Sequence, residues 1–293
     1  MVKPRIAVVF GTRPEAIKLF PLIRALRAIQ HVDTRVIVTG QHRELLDQVL
    51  LLSGIAPDVD LDMMLADQSL DNLLSRLVPA LGQVLDAECP ARIIVHGDTL
   101  TAMAASLAAY FRKIPVAHVE AGLRSRNIYH PWPEEVNRRI IADIADLHFA
   151  PTQLAREGLI AENVPPGRIH VTGNTLIDAL RDTERLIERM PACVSGLDEI
   201  ADRLRGQRII VVTAHRRENF GNGLANIAMA IDHLSARRDV AFVIPVHPNP
   251  SIRPHMEAVL SGKENVVLVT ALDYAHFVRL LQLADLVLTD SGG

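Results

Sequence analysis

The sequence predicts an α/β protein of two Rossmann-like, doubly wound parallel-sheet domains facing a common cleft. Three observations carry this. Short β-branched runs alternate with longer stretches of helical periodicity, the pattern of βαβ units. The alternation runs through the first half of the chain, pauses, and restarts near residue 208. Polar clusters follow the apolar runs directly, and parallel α/β sheets place their ligands outside the carboxyl ends of their strands. A length of 293 residues suits two domains.

In chain order, Ile6-Ala7-Val8-Val9-Phe10 marks a strand over 5–10, and Pro14 in a first turn opens a helix to Ile29. Strands are expected near 35–39, 92–96, 115–119, 146–150 and 168–172. Helices are expected over 43–52, 69–85, 102–111, 134–145 and 153–162. The stretch from Asn174 to Arg205 reads as helical, loosening over 190–196. Strands then recur near 208–213, 240–246, 265–269 and 285–289, with helices over 223–236, 251–261 and 273–283. The expected domains are 1–174 and 175–293. The last strand runs straight into Ser291-Gly292-Gly293, where a helix with an anion-binding N-terminus is expected to begin. The second domain therefore reads as incomplete.

Composition narrows the function. A net charge of -3 gives no field for nucleic acid, and no basic arm or aromatic platform is present. Cys89 and Cys193 form neither a disulfide framework nor a metal-like spacing, and read as ordinary thiols. The longest apolar helical run, 101–111, is too short to span a bilayer, and no signal-peptide pattern opens the chain. A cytoplasmic protein is expected.

The motifs point to an anionic ligand and acid–base chemistry. Gly11-Thr12-Arg13-Pro14-Glu15 joins the first strand to the first helix, where free N–H groups attract phosphate. Arg13 and Lys18 add cationic donors; a plain strand–helix turn is the competing reading. The G-x-G-x-x-G pattern of an NAD site occurs nowhere. Asp98 and Glu120 end neighbouring strands, and two carboxylates at one rim can be driven to different pKa values. Asp98 also suits a helix N-cap. In Tyr129-His130-Pro131-Trp132-Pro133-Glu134, two prolines stiffen a loop before a helix, and Glu134 and Arg138 share one helical face. An exposed ion pair is the alternative there, and Trp132 reads as structural. His215-Arg216-Arg217-Glu218-Asn219 is a dense cluster at a strand end, suited to phosphate; His247 is a weaker rim signal.

Together these motifs resemble the non-hydrolysing UDP-N-acetylglucosamine 2-epimerases. The matching segments are Phe10 to Lys18, Gln41-His42-Arg43, His96-Gly97-Asp98-Thr99, His118-Val119-Glu120-Ala121-Gly122-Leu123-Arg124, Pro131 to Arg138, Thr172-Gly173-Asn174-Thr175, His215 to Asn219 and Asp290 to Gly293. They run from end to end in one order. The resemblance implies a glycosyltransferase-B-like (GT-B-like) pair of domains, the second binding UDP. It further implies a homodimer, interconversion of UDP-GlcNAc with UDP-ManNAc, and no cofactor or metal. It assigns catalysis to Asp98, Glu120, Glu134 and His215, and substrate binding to Arg13, Lys18, Arg138, Phe277, Ser291, Gly292 and Gly293. Gln41, His42, Arg216 and His247 resemble part of a second, regulatory UDP-GlcNAc site.

Some residues depart from the pattern. Leu272 stands where a glutamine is frequent, Asp67 where some members have a regulatory arginine, and Leu100 and Met103 replace threonines. The family also continues past Ser-Gly-Gly, so the chain reads as C-terminally truncated and is expected to be nearly inactive in that form.

The chemistry suits the residues. The C2 hydrogen of a 2-acetamido sugar is not beside a carbonyl, so C1–O cleavage must acidify it. Elimination of UDP to 2-acetamidoglucal and re-addition needs acid–base carboxylates and cations for UDP. The competing expectations are a UDP-sugar-dependent GT-B glycosyltransferase and an inactive nucleotide-sugar-binding remnant.

Overall fold

A computed structural model describes residues 3–40, 43–63, 65, 68–214, 222–246 and 253–290. The chain divides into two compact units, Met1–Arg181 and Asp182–Gly293.

The first unit builds one sheet from β1 (Arg5–Phe10), β2 (Asp33–Val38), β3 (Val59–Asp60), β4 (Arg92–His96), β5 (Val116–Val119), β6 (Leu147–Ala150) and β7 (Ile169–Val171). The strand order is β3-β2-β1-β4-β5-β6-β7, and every pairing is parallel. Ala7, Val8, Val9 and Phe10 are all fully buried, so both faces of β1 are covered. Double burial is why such strands read as unbroken apolar runs. The helices are α1 (Arg13–Ala28), α2 (Arg43–Ser53), α3 (Leu70–Glu88), α4 (Leu100–Tyr110), α5 (Glu134–Ile144), α6 (Gln153–Ala161) and α7 (Thr175–Arg189), the last running into the second unit. Leu73, Leu77, Leu81 and Leu85 recur every fourth residue and lay one stripe of α3 into the core. Helix α4 is buried along most of its length, and its alanines 102, 104, 105, 108 and 109 are fully enclosed. The Thr99 hydroxyl starts it, accepting from the Ala102 N–H at 3.0 Å.

The order reverses at β1. From there the chain goes to β2 on one side, and β4 pairs on the other. The β1/β4 pair is thus the topological switch point, where the following loops part and leave a crevice.

Seven strands replace the six expected. The addition, β3, is two residues paired to Ile37 and Val38, too short to leave a run in the sequence. Strand β2 starts at Asp33 rather than 35, because polar Asp33 and Thr34 pair with Arg5 and Ile6, and Arg5 Nε bonds Asp33 at 2.8 Å.

The second unit has a four-stranded parallel sheet of β8 (Arg208–Thr213), β9 (Val240–Val246), β10 (Val266–Thr270) and β11 (Leu286–Thr289), ordered β10-β9-β8-β11. Its helices are α8 (Leu197–Arg203), α9 (Asn222–Leu234), α10 (Arg253–Leu260) and α11 (Tyr274–Leu283). One core lies between β9 and helices α9 and α10, a second beneath α8 and α11. Edge strand β11 is exposed at every residue. The second switch point lies between β8 and β11; residues 215–221 and 291–293 lie outside the described residues. Among the described residues no helix is long and apolar enough to cross a membrane.

Candidate active site

The turns after β1, β4 and β5 bring most of the first unit's predicted polar residues to one rim. Gly11 is obligatory at the first. A Cβ there would lie 2.2 Å from Thr39 Oγ1 and 2.5 Å from Thr101 Oγ1, two hydroxyls bonded to each other at 3.0 Å. Arg13 is the first residue of α1 and half-buried; Lys18 lies one turn further on.

Glu15 is enclosed beneath this turn. One oxygen accepts from the Gly11 N–H (3.1 Å), the Thr12 N–H (2.9 Å) and the Thr12 hydroxyl (2.8 Å). The other accepts from the Thr99 hydroxyl at 2.7 Å. Burial pushes its carboxyl up to about 7, against the pull of those bonds.

Asp98 follows β4. His118 Nε2 donates to the Gly97 carbonyl at 2.7 Å, and Asn137 Nδ2 donates to the Asp98 carbonyl at 2.8 Å. The Asp98 carboxylate forms an ion pair with Arg138. Burial raises its pKa, Arg138 opposes, and the charges of Glu134 and Glu120 raise it further. Asp98 therefore lies within electrostatic range of two further carboxylates, Glu134 and Glu120.

Glu120 follows β5 in the left-handed region, with φ 61°. A non-glycine residue held there is strained, and such strain collects at functional sites. Lys18 Nζ bonds both carboxylate oxygens, at 2.8 and 2.7 Å. Asn174 Nδ2 donates to one of them at 2.9 Å, and His96 Nε2 lies 3.8 Å from it. Burial raises Glu120, but His96, Lys18 and Asn174 together outweigh it and hold the carboxyl below its ordinary value. His96 is itself pushed down to about 4 by burial.

Glu134 opens α5, and its Oε2 is buried with no hydrogen-bond partner among the described residues. The sequence puts Arg138 on the same helical face as Glu134, but the ion pairs that Arg138 makes are with Asp98 and, at 3.5 Å, with Glu135. Glu135 is fully buried and accepts from the Ser125 and Arg126 N–H groups, so it anchors the loop ahead of Trp132.

Phe277 lies half-buried in α11 of the second unit. Gln41, His42, His215, Arg216, His247, Ser291, Gly292 and Gly293 lie outside the described residues. Among the described residues no group of three or more His, Cys, Asp or Glu has metal-holding geometry. Sequence reasoning gave no role to Glu15, Asn137 or Asn174. Each stands inside a quoted motif, but an uncharged amide or a first-turn acid carries no signal of its tertiary partner.

Comparison with known proteins identifies the family. The family model for UDP-N-acetylglucosamine 2-epimerase matches residues 24–293. The Salmonella typhimurium UDP-N-acetylglucosamine 2-epimerase is 46% identical over 297 residues, covering 99% of this chain and 77% of that protein. The crystal structure of the Neisseria meningitidis UDP-GlcNAc 2-epimerase bound to UDP-GlcNAc is 41% identical, with a TM-score of 0.88 over 98% of this chain and 78% of that one. A co-structure of S. aureus MnaA with UDP is 40% identical, with a TM-score of 0.86 over 99% and 75% of the two chains. The two parallel sheets are those of a GT-B-like fold. This chain belongs to the UDP-N-acetylglucosamine 2-epimerase family.

Proposed function

We infer that this protein interconverts UDP-GlcNAc and UDP-ManNAc, as a non-hydrolysing epimerase. The observation that carries this is Asp98, under the charges of both Glu120 and Glu134 and following β4 at the switch point, with Lys18 bonded to Glu120. Two of these carboxylates are driven in opposite directions, Asp98 up and Glu120 down. Opposed shifts mark an acid and a base.

In the forward step the C1–O bond to UDP breaks, the C2 proton passes to a carboxylate, and a C1=C2 double bond forms. UDP then adds back at C1 while a proton reaches C2 from the opposite face. Asp98 is the group suited to hold a proton, Glu120 the carboxylate kept ionised, and Glu134, with its unpartnered buried oxygen, a second acceptor. Arg13, in the first turn of α1, and Lys18 suit the phosphates. Arg138 orients Asp98. For the domain 175–293 we extend the assignment to UDP binding through His215, Phe277, Ser291, Gly292 and Gly293. Gln41, His42, Arg216 and His247 are proposed as regulatory, and the active form as a cytoplasmic homodimer.

Incubation of a version extended through a full second domain with UDP-GlcNAc in deuterated water, with no NAD added, tests the reading. UDP-ManNAc carrying deuterium at C2 is expected. Product with its C2 hydrogen fully retained would overturn the elimination. Sugar transfer to an acceptor, with no UDP-ManNAc, would favour a glycosyltransferase.

A further inference from the structure

Under the function proposed above, on which this inference rests, the Gly11–Arg13 turn faces phosphate while Asp98 moves a proton. The two must keep one spacing, because a misplacement of about 1 Å can cost on the order of 10²-fold in rate. Strand pairing does not supply that spacing. The β1/β4 register ends at Val8↔Ile94, before either turn is reached. Beyond it no β1/β4 pairing joins the two turns among the described residues.

The Glu15 side chain hydrogen-bonds both turns across the gap. Glu15 takes three donors from its own turn with one oxygen, and the Thr99 hydroxyl with the other. Thr99 adjoins Asp98 and starts α4. Glu15 is 1% exposed, so the clamp lies beneath the rim rather than on it. Helix capping would need only the amides of its own turn. The bond to Thr99 spans 84 residues of sequence and adds nothing to α1. We propose that Glu15 is a positioning residue that locks the phosphate-facing Gly11–Arg13 turn to the Asp98–Thr99 turn across the switch point. It acts through those turns and touches no substrate itself.

Three variants of the full chain separate this from a purely local role. Thr99→Val cuts only the crossing bond and the α4 cap, leaving Glu15 its own turn. Glu15→Gln can serve both sides, its carbonyl accepting from the amides and its NH2 donating to Thr99. Glu15→Ala removes everything. In Thr99→Val, exchange of the Gly11 and Thr12 amides is expected to rise at least about 10-fold. In the same variant kcat falls roughly 10- to 100-fold, while KM for UDP-GlcNAc moves less than about threefold. Glu15→Ala is slower still, and Glu15→Gln recovers most of the lost turnover.

Unchanged exchange at Gly11 and Thr12 in Thr99→Val overturns the clamp, as does a Glu15→Gln as slow as Glu15→Ala. If Glu15→Ala does not fold, Thr99→Val and Glu15→Gln decide alone. Amide exchange is read without substrate, so a version extended through a full second domain that forms no UDP-ManNAc overturns the functional reading while the clamp is still tested.

Discussion

Glu15, Asp98 and Glu120 are the same chemistry in three environments. Glu15 has donors but no cation, and burial dominates. Asp98 has a cation and two acidic neighbours. Glu120 has a lysine and an amide on its oxygens. Glu120, held down, favours the fold at higher pH, whereas Asp98 and Glu15, both raised, stabilise it at low pH, and the large shift is that of Glu15. Its carboxyl titrates near 4.5 when unfolded and about 7 when folded. Below 4.5 both forms are protonated. Between the two values the unfolded chain releases its proton and the folded one keeps it, so stability falls as pH rises, by roughly 3 kcal/mol in all. Glu15→Gln has no proton to release, so denaturation from about pH 4 to 8 should show it gaining that amount relative to the native protein. A constant difference would mean that folding leaves the Glu15 carboxyl's pKa unchanged. For the reaction, Asp98→Asn, Glu120→Gln and Glu134→Gln are each expected to lower kcat by roughly 10²-fold or more, with UDP binding little changed. Titration calorimetry with UDP beside turnover assays checks this. A Glu134→Gln variant with near-native turnover would reduce Glu134 to a first-turn acid on a helix.

Between residues and the whole, the elements carry their own constraint where the turn after β5 meets α6. Gly122 has φ 89°, and a Cβ on it would lie 2.2 Å from the Ala155 carbonyl oxygen. Gly158, on the same helix, would bring a Cβ within 3.1 Å of the Gly122 carbonyl oxygen. The turn after Glu120 therefore rests directly on α6 backbone. Gly122→Ala must push α6 away in addition to its backbone strain, and a loss of roughly 2 kcal/mol or more is expected. Thermal melts measure it; a change below about 0.5 kcal/mol would show that α6 yields freely. This contact also marks how far the sequence was legible. The strands, the helices and the rim at Gly11, Asp98 and Glu120 announce themselves through apolar runs and the polar residues that end them. Tertiary pairings do not. Nothing local says that Arg138 belongs to Asp98 rather than Glu134, that Asn174 reaches back to Glu120, or that Val59-Asp60 is a strand. Those depend on which loops the sheet order brings side by side, and the reversal at β1 is a property of the whole sheet.

At the scale of the molecule, the two units differ in how much structure each must open to expose its amides. The first has seven strands, with β1 enclosed on both faces and flanked by β2 and β4. Its core joins leucines of α3, alanines of α4 and residues of four strands in one cluster. The second has four strands, and its edge strand leaves Leu286 at 52%, Val287 at 41% and Leu288 at 40% exposure. Strand β8 is hydrogen-bonded to that edge on one side. Opening free energy follows the apolar area a cooperative unit buries, and larger units bury a greater share of their surface. The second unit should therefore open first. Native-state amide exchange is expected to show Val211 and Val212 of β8 exchanging at least about 10-fold faster than Val8 and Val9 of β1, each through a cooperative opening. Denaturant should accelerate β8 with the smaller slope, since less surface is exposed in its opening. Equal rates and equal slopes for the two strands would mean that the units open as one. The turns after β8 and β1 would then share a single stability, and substitutions in either core would weaken both.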